Sequence, residues 1–228
     1  MQDSKSSKRG ITPYDLRWPD TPEFTRVAAV FATDAIDNML RSVWGGYAIF
    51  SNKFLSSIDI SQADEELERS ITQSLEPCIR DCLSGDESYD VLHGPYEFAT
   101  RSPAPAQPPE YDIAFYLKAN MRVMWPLEAK IMRTPANVSP YVKDINNEFL
   151  TGRYAPFSKS AGMLGYLLSG KVSEVPAKIE KKLETNLNPH EKFHPEYPHH
   201  VSIHHRSLSN PSWISGEFQC HHMIMDIG

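Results

Sequence analysis

The stretch YDIAFYLKANMRVMWPLEAKIM, residues 111–132, decides how this chain is read. It contains two apolar runs, YDIAFYL (111–117) and RVMWPLEAKIM (122–132), rich in the side chains that favour strands. Only Lys118, Ala119, Asn120 and Met121 separate them, and so short a link joins neighbouring strands as an antiparallel hairpin. A turn centred near Ala119–Asn120 sets Asp112 opposite Leu127 or Glu128. Pro126 has no N–H to give to a ladder, so a one-residue bulge is expected beside it, and that bulge brings Asp112 directly against Glu128. Glu128 and Lys130 are two residues apart and share one side of their strand.

Two carboxylates and an ammonium therefore meet within otherwise apolar strands. Opposed like charges are costly, more so where water is scarce, and a bound divalent cation removes the conflict. Oxygen ligands from Asp112 and Glu128, with the Ala129 carbonyl, suit hard Mg²⁺ (with Mn²⁺ as a substitute), an ion that keeps several waters and binds substrate phosphate. Lys130 is placed to orient or deprotonate an attacking water and to screen developing negative charge. The chemistry that follows is phosphodiester hydrolysis. The competing reading is a plain cross-strand ion-pair cluster on a solvated face, which contributes little. The flanking residues are apolar on both faces, as in a covered strand, and this favours the catalytic reading.

Asp112, followed after fifteen residues by Glu128-Ala129-Lys130 in a strand, resembles the PD-(D/E)XK nucleases, the restriction-endonuclease-like superfamily. Pro109 stands three residues before Asp112 rather than beside it. The resemblance covers about residues 63–170. It implies an α/β fold with a restriction-endonuclease-like core, a central mixed sheet flanked by helices, and an order of helix, three strands, helix, strand. It further implies a metal-dependent endonuclease acting on DNA, with RNA not excluded, and an acid on the first core helix aimed at the metal. Glu68 is the best match for that acid and Glu65 the next. By the same resemblance Arg153 and Lys159, at a junction after the Glu-x-Lys strand, are candidates for contacting backbone phosphates, with solvated surface charge as the alternative. Tyr154 and Phe157 beside them stack on a base or, more simply, pack in the core. An isolated nuclease domain of this kind resembles the effector of a bacterial restriction or anti-phage defence system. A partner protein would then supply recognition or activation, and the assembly would be a homodimer or hetero-complex.

Outward from the hairpin, residues 1–20 read as a flexible polar lead-in and 21–62 as an N-terminal helical segment on a nuclease-like domain of 63–228. Thr21, Pro22 and Glu23 form a helix start. Its helix runs to about Ser42 with Phe24, Val27, Val30, Phe31, Ala35, Met39 and Leu40 on one stripe, and an apolar connector from Trp44 to Phe54 follows. A second helix, Ala63–Leu83, carries Leu67, Ile71, Leu75, Cys78 and Cys82 on one face, with a kink expected at Pro77. Tyr89–Leu92 reads as a strand that Tyr96–Phe98 continues, and the proline-rich Arg101–Glu110 as an exposed loop. Helices are expected over Ser139–Leu150 and Ser160–Leu168, the second with Gly162 and Gly165 letting another backbone approach. VSIHHRSL (201–208) and EFQCHHMIMDI (217–227) are the last strands.

The net charge is −6, yet Lys118–Lys182 holds eleven Lys or Arg against five Asp or Glu, a basic segment able to guide a polyanion to one face. No apolar run is long enough to cross a bilayer and there is no secretory signal, so no membrane is expected. Three cysteines are too few for a disulfide scaffold and point to a reducing cytoplasm. Eight of the nine histidines lie between His190 and His222, at no spacing that matches a zinc finger or ribbon. A noncatalytic nuclease-fold adaptor and a His-rich metal-binding protein are the rival functions.

Overall fold

A computed structural model of the chain describes residues 22–100, 106–210 and 213–228. The helix start at Thr21, the lead-in of residues 1–20 and the first half of the proline-rich loop lie outside the described residues. The main elements are α1 (Pro22–Lys53), α2 (Asp64–Arg80), β1 (Tyr89–His93), β2 (Ile113–Leu117), β3 (Asn120–Met132), α3 (Ser139–Asp144), β4 (Ser160–Leu167), α4 (Val175–Leu183), β5 (Asn188–Pro189), β6 (His199–Arg206) and β7 (Gly216–Asp226). A π-helical turn, Ile145–Phe149, prolongs α3. The strands form one seven-stranded mixed sheet in the order β1-β2-β3-β4-β7-β6-β5. β4 is parallel to both neighbours, β3 and β7, and the other pairings are antiparallel.

Alternation along the strands feeds two cores. Val123, Trp125, Leu127, Ala129 and Ile131 of β3 join α1 and α2 in one cluster. Met132 joins Ala114, Met163 and the buried side chains of α3 and α4 in the other. Helices thus cover both faces, as a parallel centre requires.

Several expectations need correction. The helix expected over Ser160–Leu168 is instead strand β4, Ser160–Leu167. All eight residues of β4 are buried between parallel neighbours, and a strand covered on both faces loses its alternation and imitates a helix in sequence. Gly162 still serves close approach, but to side chains: a Cβ there would collide with Leu127 and come within 2.9 Å of Met223. α1 does not stop at Ser42 but runs through Trp44 and Phe50, both buried, to Lys53. Gly45 and Gly46 look like a break, yet a Cβ at Gly46 would sit 2.7 Å from the Ile79 backbone, so this glycine lets α1 and α2 touch. Val30 falls off the buried stripe at 53% exposure. The second helix keeps Pro77 inside it, as expected, but spans Asp64–Arg80 and so ends short of Cys82 and Leu83. β1 ends at His93, and Tyr96 makes only an isolated bridge to Glu110. Helix α4 and short β5 were not foreseen. Among the described residues, no helix is long and apolar enough to cross a membrane.

Candidate active site

The hairpin pairs Ile113 with Leu127 and Ala114 with Pro126 in continuous register. The expected bulge beside Pro126 is absent. The register shift lies at the turn, between Tyr116 and Leu117, and the pairing beyond it, carried one residue past Ile113–Leu127, puts Asp112 level with Glu128.

β2 begins at Ile113, whereas β3 runs on to Met132. Past Leu127, β3 keeps β4 on one side and loses β2 on the other, so its free main-chain groups need new partners. Asp112 Oδ2 accepts the Ala129 N–H at 2.7 Å, and Glu68 Oε2, from α2, accepts the Ile131 N–H at 3.3 Å. Between them the Ala129 carbonyl accepts from Lys130 Nζ at 2.6 Å. The same ammonium lies 2.9 Å from Glu128 Oε1, 3.2 Å from Glu68 Oε1 and 3.2 Å from Asp144 Oδ2. The sequence candidates Asp112, Glu128, Ala129, Lys130 and Glu68 are therefore brought together. Asp144, at the end of α3, was missed, because a lone acid on a short helix carries no signal until α3 packs near β3.

This cluster is not a solvated face: Glu128 is 7% exposed and the Lys130 side chain 18%. Burial pushes the Glu68 carboxyl up to about 7 against the opposing pull of Lys130. Burial also raises Asp112, again against Lys130. Glu128, buried and beside Asp112, is held well above the usual carboxylate range. For Lys130, burial works to lower the pKa, but Glu128, Glu68, Asp112 and Asp144 together overrule it and raise it. A lysine so held stays protonated, so it can orient and neutralise but cannot serve as a base in this state.

Glu128 Oε2 is buried without a hydrogen-bond partner. Two carboxylates flank a carbonyl, and a third carboxyl oxygen is unspent, which is a hard-oxygen donor set that fits Mg²⁺ or Mn²⁺. The ammonium now holds the centre, and the acids stand around it rather than around a closer common point. A cleft of about 270 Å³ opens alongside, lined by Glu65, Glu68, Arg69, His93, Tyr111 and Asp112.

The two phosphate-contact candidates are placed differently. Arg153 donates to both oxygens of Glu148 at 2.9 Å and is exposed. Lys159 precedes β4, whose Gly165 is the residue level with Lys130, so it lies roughly 20 Å along the strand from the ammonium at the usual rise per residue. Tyr154 and Phe157 are core residues: the Tyr154 hydroxyl donates to the Glu110 carbonyl at 2.7 Å, and Phe157 packs edge-on against Phe24.

A second buried polar group sits across the sheet. Trp44 Nε1 donates to His199 Nδ1 at 3.2 Å, and His199 Nε2 lies 3.1 Å from His221 Nδ1. Ser202 Oγ joins His204 at 2.7 Å and His222 at 2.8 Å, and His222 meets the Tyr141 hydroxyl at 3.0 Å. Ser202 thus links His204 and His222 across β6 and β7. Burial lowers His221 to about 3 and pushes His199 down further, so both are neutral. Comparison with protein-family models, with curated proteins and with solved structures finds no match to this chain.

Proposed function

We propose that this protein is a Mg²⁺-dependent phosphodiesterase, an endonuclease whose substrate is DNA. One observation carries the proposal. At the uncovered edge of β3 a carbonyl is flanked by the carboxylates of Asp112 and Glu68, with Glu128 and Asp144 beside them, and a single ammonium faces four buried or half-buried acids. Such a site is short of positive charge, and a hard divalent cation supplies it. When bound, that ion would neutralise charge on a phosphodiester and activate water. Asp112, Glu68 and Glu128 would hold it together with the Ala129 carbonyl, and Lys130 would swing from that carbonyl to the scissile phosphate and screen its charge.

Two features support the reading. From Asp64 to Leu167 the elements run helix, three strands, helix, strand, the order implied by the resemblance to PD-(D/E)XK nucleases. Lys143 on α3 and Lys178, Lys181 and Lys182 on α4 are exposed on neighbouring helices, giving the basic segment a face on which a polyanion could lie. The noncatalytic alternative has its own support, since the Lys130 ammonium already satisfies the Ala129 carbonyl and three carboxylates. Incubation with plasmid, single-stranded DNA and RNA, in Mg²⁺, Mn²⁺ or EDTA, separates the two. Cation-dependent cleavage of DNA that disappears in Asp112→Asn is expected. Failure of every nucleic acid to be cut, or cleavage that persists in Asp112→Asn, would overturn the proposal. For the effector role in a defence system, expression of the wild type should be toxic in the presence of its activating partner and Lys130→Ala harmless.

A further inference from the structure

The histidine group at the far half of the sheet is not used by the proposed chemistry. Among the described residues, His190, His199 and His221 are the one set of potential ligands whose ligating atoms all lie within 4.8 Å of one another. We infer that these three side chains form a second metal site, one that takes a borderline divalent transition ion of the zinc class.

The placement comes from the strands. β5 pairs with β6 so that Pro189 lies level with His200, and the His190 N–H donates to the His199 carbonyl at 2.9 Å. β6 pairs with β7 so that Val201 lies level with His221. Residues distant in sequence thus arrive at one point, two buried and one half-buried. Imidazole nitrogen suits zinc and its neighbours in the transition series, whereas Mg²⁺ prefers oxygen. The two nitrogens of His199 and His221 that now face each other are 3.1 Å apart. Ligands ~2.0–2.1 Å from a tetrahedral ion stand about 3.3 Å from each other, so this pair is already spaced for one. His190 and His221 also line a cleft of about 370 Å³ with Asp37, Lys192 and Gln219, which leaves room for a water as the fourth ligand.

Trp44 sets the terms of binding. An indole N–H only donates, so His199 Nδ1 is an acceptor and the ring proton sits on Nε2, where it points at His221 Nδ1. The relay ends at His221 Nε2, which is buried and has no partner, so the metal-free arrangement is not self-satisfied. An ion can take His199 Nε2 only when the proton moves to Nδ1 and the Trp44 bond is surrendered. Metal and indole therefore compete for one imidazole.

The test uses the full chain after EDTA dialysis, in excess Mg²⁺ so that the acid cluster is not counted. Titration with Co²⁺ should give the visible absorption of a tetrahedral nitrogen-bound ion, saturating at one per chain and displaced by one equivalent of Zn²⁺. Trp44 fluorescence should change with the same midpoint. His190→Ala, at a half-exposed position that leaves the core intact, should weaken affinity at least 10-fold, and Trp44→Phe should tighten it several-fold. Absence of stoichiometric Co²⁺ and Zn²⁺ binding, or equal affinity in His190→Ala, would overturn the site. Weaker binding in a folded Trp44→Phe would overturn the competition. The nuclease assay is independent of all these outcomes.

Discussion

The acid cluster at the edge of β3 and the histidine cluster between β5, β6 and β7 are both buried, polar and incompletely satisfied, yet burial has opposite consequences for them. Desolvation disfavours charge in each. Imidazoles respond by staying neutral, and a chain of hydrogen bonds from Trp44 through His199 to His221 absorbs most of their polarity. Carboxylates respond with raised pKa values, but Lys130 keeps its charge and holds them near it. The histidines are left with one orphan nitrogen, His221 Nε2, whereas the acids outnumber the ammonium that faces them. On this contrast rest the two proposals, hard-oxygen chemistry at the acid cluster and nitrogen ligation at the histidines.

The contrast can be broken or sharpened by measurement. The largest effect should be on catalysis: Lys130→Ala and Asp112→Asn should each lower DNA cleavage by about 10²–10⁴-fold, the range for a positioned acid–base or charge-screening group. Next comes stability. Removing the Lys130 ammonium from the acids, as in Lys130→Met, should cost about 3–5 kcal/mol in denaturant unfolding, as for one partner of a buried ion pair. His222→Phe, which deletes neutral hydrogen bonds to Tyr141 and Ser202, should cost only about 1–3 kcal/mol. Equal losses in the two variants would refute the difference drawn between the clusters.

The pH dependence should also differ. Glu68 is raised from 4.5 to about 7 in the fold. Between those values the unfolded chain has released this proton and the folded chain still holds it, so stability falls as pH rises through that window. Thermal melts should show this decline, Mg²⁺ should reverse it above pH 7, and Glu68→Gln should flatten it. A melting temperature that rises over that interval in wild type would contradict the assignment. Arg153→Ala should have the smallest effect, within about 0.5 kcal/mol on stability, because its pair with Glu148 is at the surface. A loss of DNA affinity in that variant would restore Arg153 as a phosphate contact.

Much of the candidate site could be read in the sequence because it is local. Asp112 and Glu128 are joined by one tight hairpin, and Glu128 and Lys130 by the two-residue repeat of a strand, so short-range geometry fixes their meeting. The amphipathic stripe of α2 was legible for the same reason. Asp144 was not, since its proximity to Lys130 depends on how α3 packs. Glu68 was drawn from the resemblance, and its role as acceptor for the Ile131 N–H follows only from β2 ending where β3 continues.

By itself, the sequence determined the hairpin, the two long N-terminal helices in outline, the last two strands and the acid–ammonium triad, all features set by periodicity or by residues a few positions apart. Tertiary structure alone decided that Ser160–Leu167 is a central strand, because burial on both faces erases the alternation that marks a strand. It also decided that Gly46 sits in a helix contact rather than at a helix end. The union of His190, His199 and His221 was likewise a matter of strand order: long-range pairing, not spacing along the chain, chooses which side chains share a buried point.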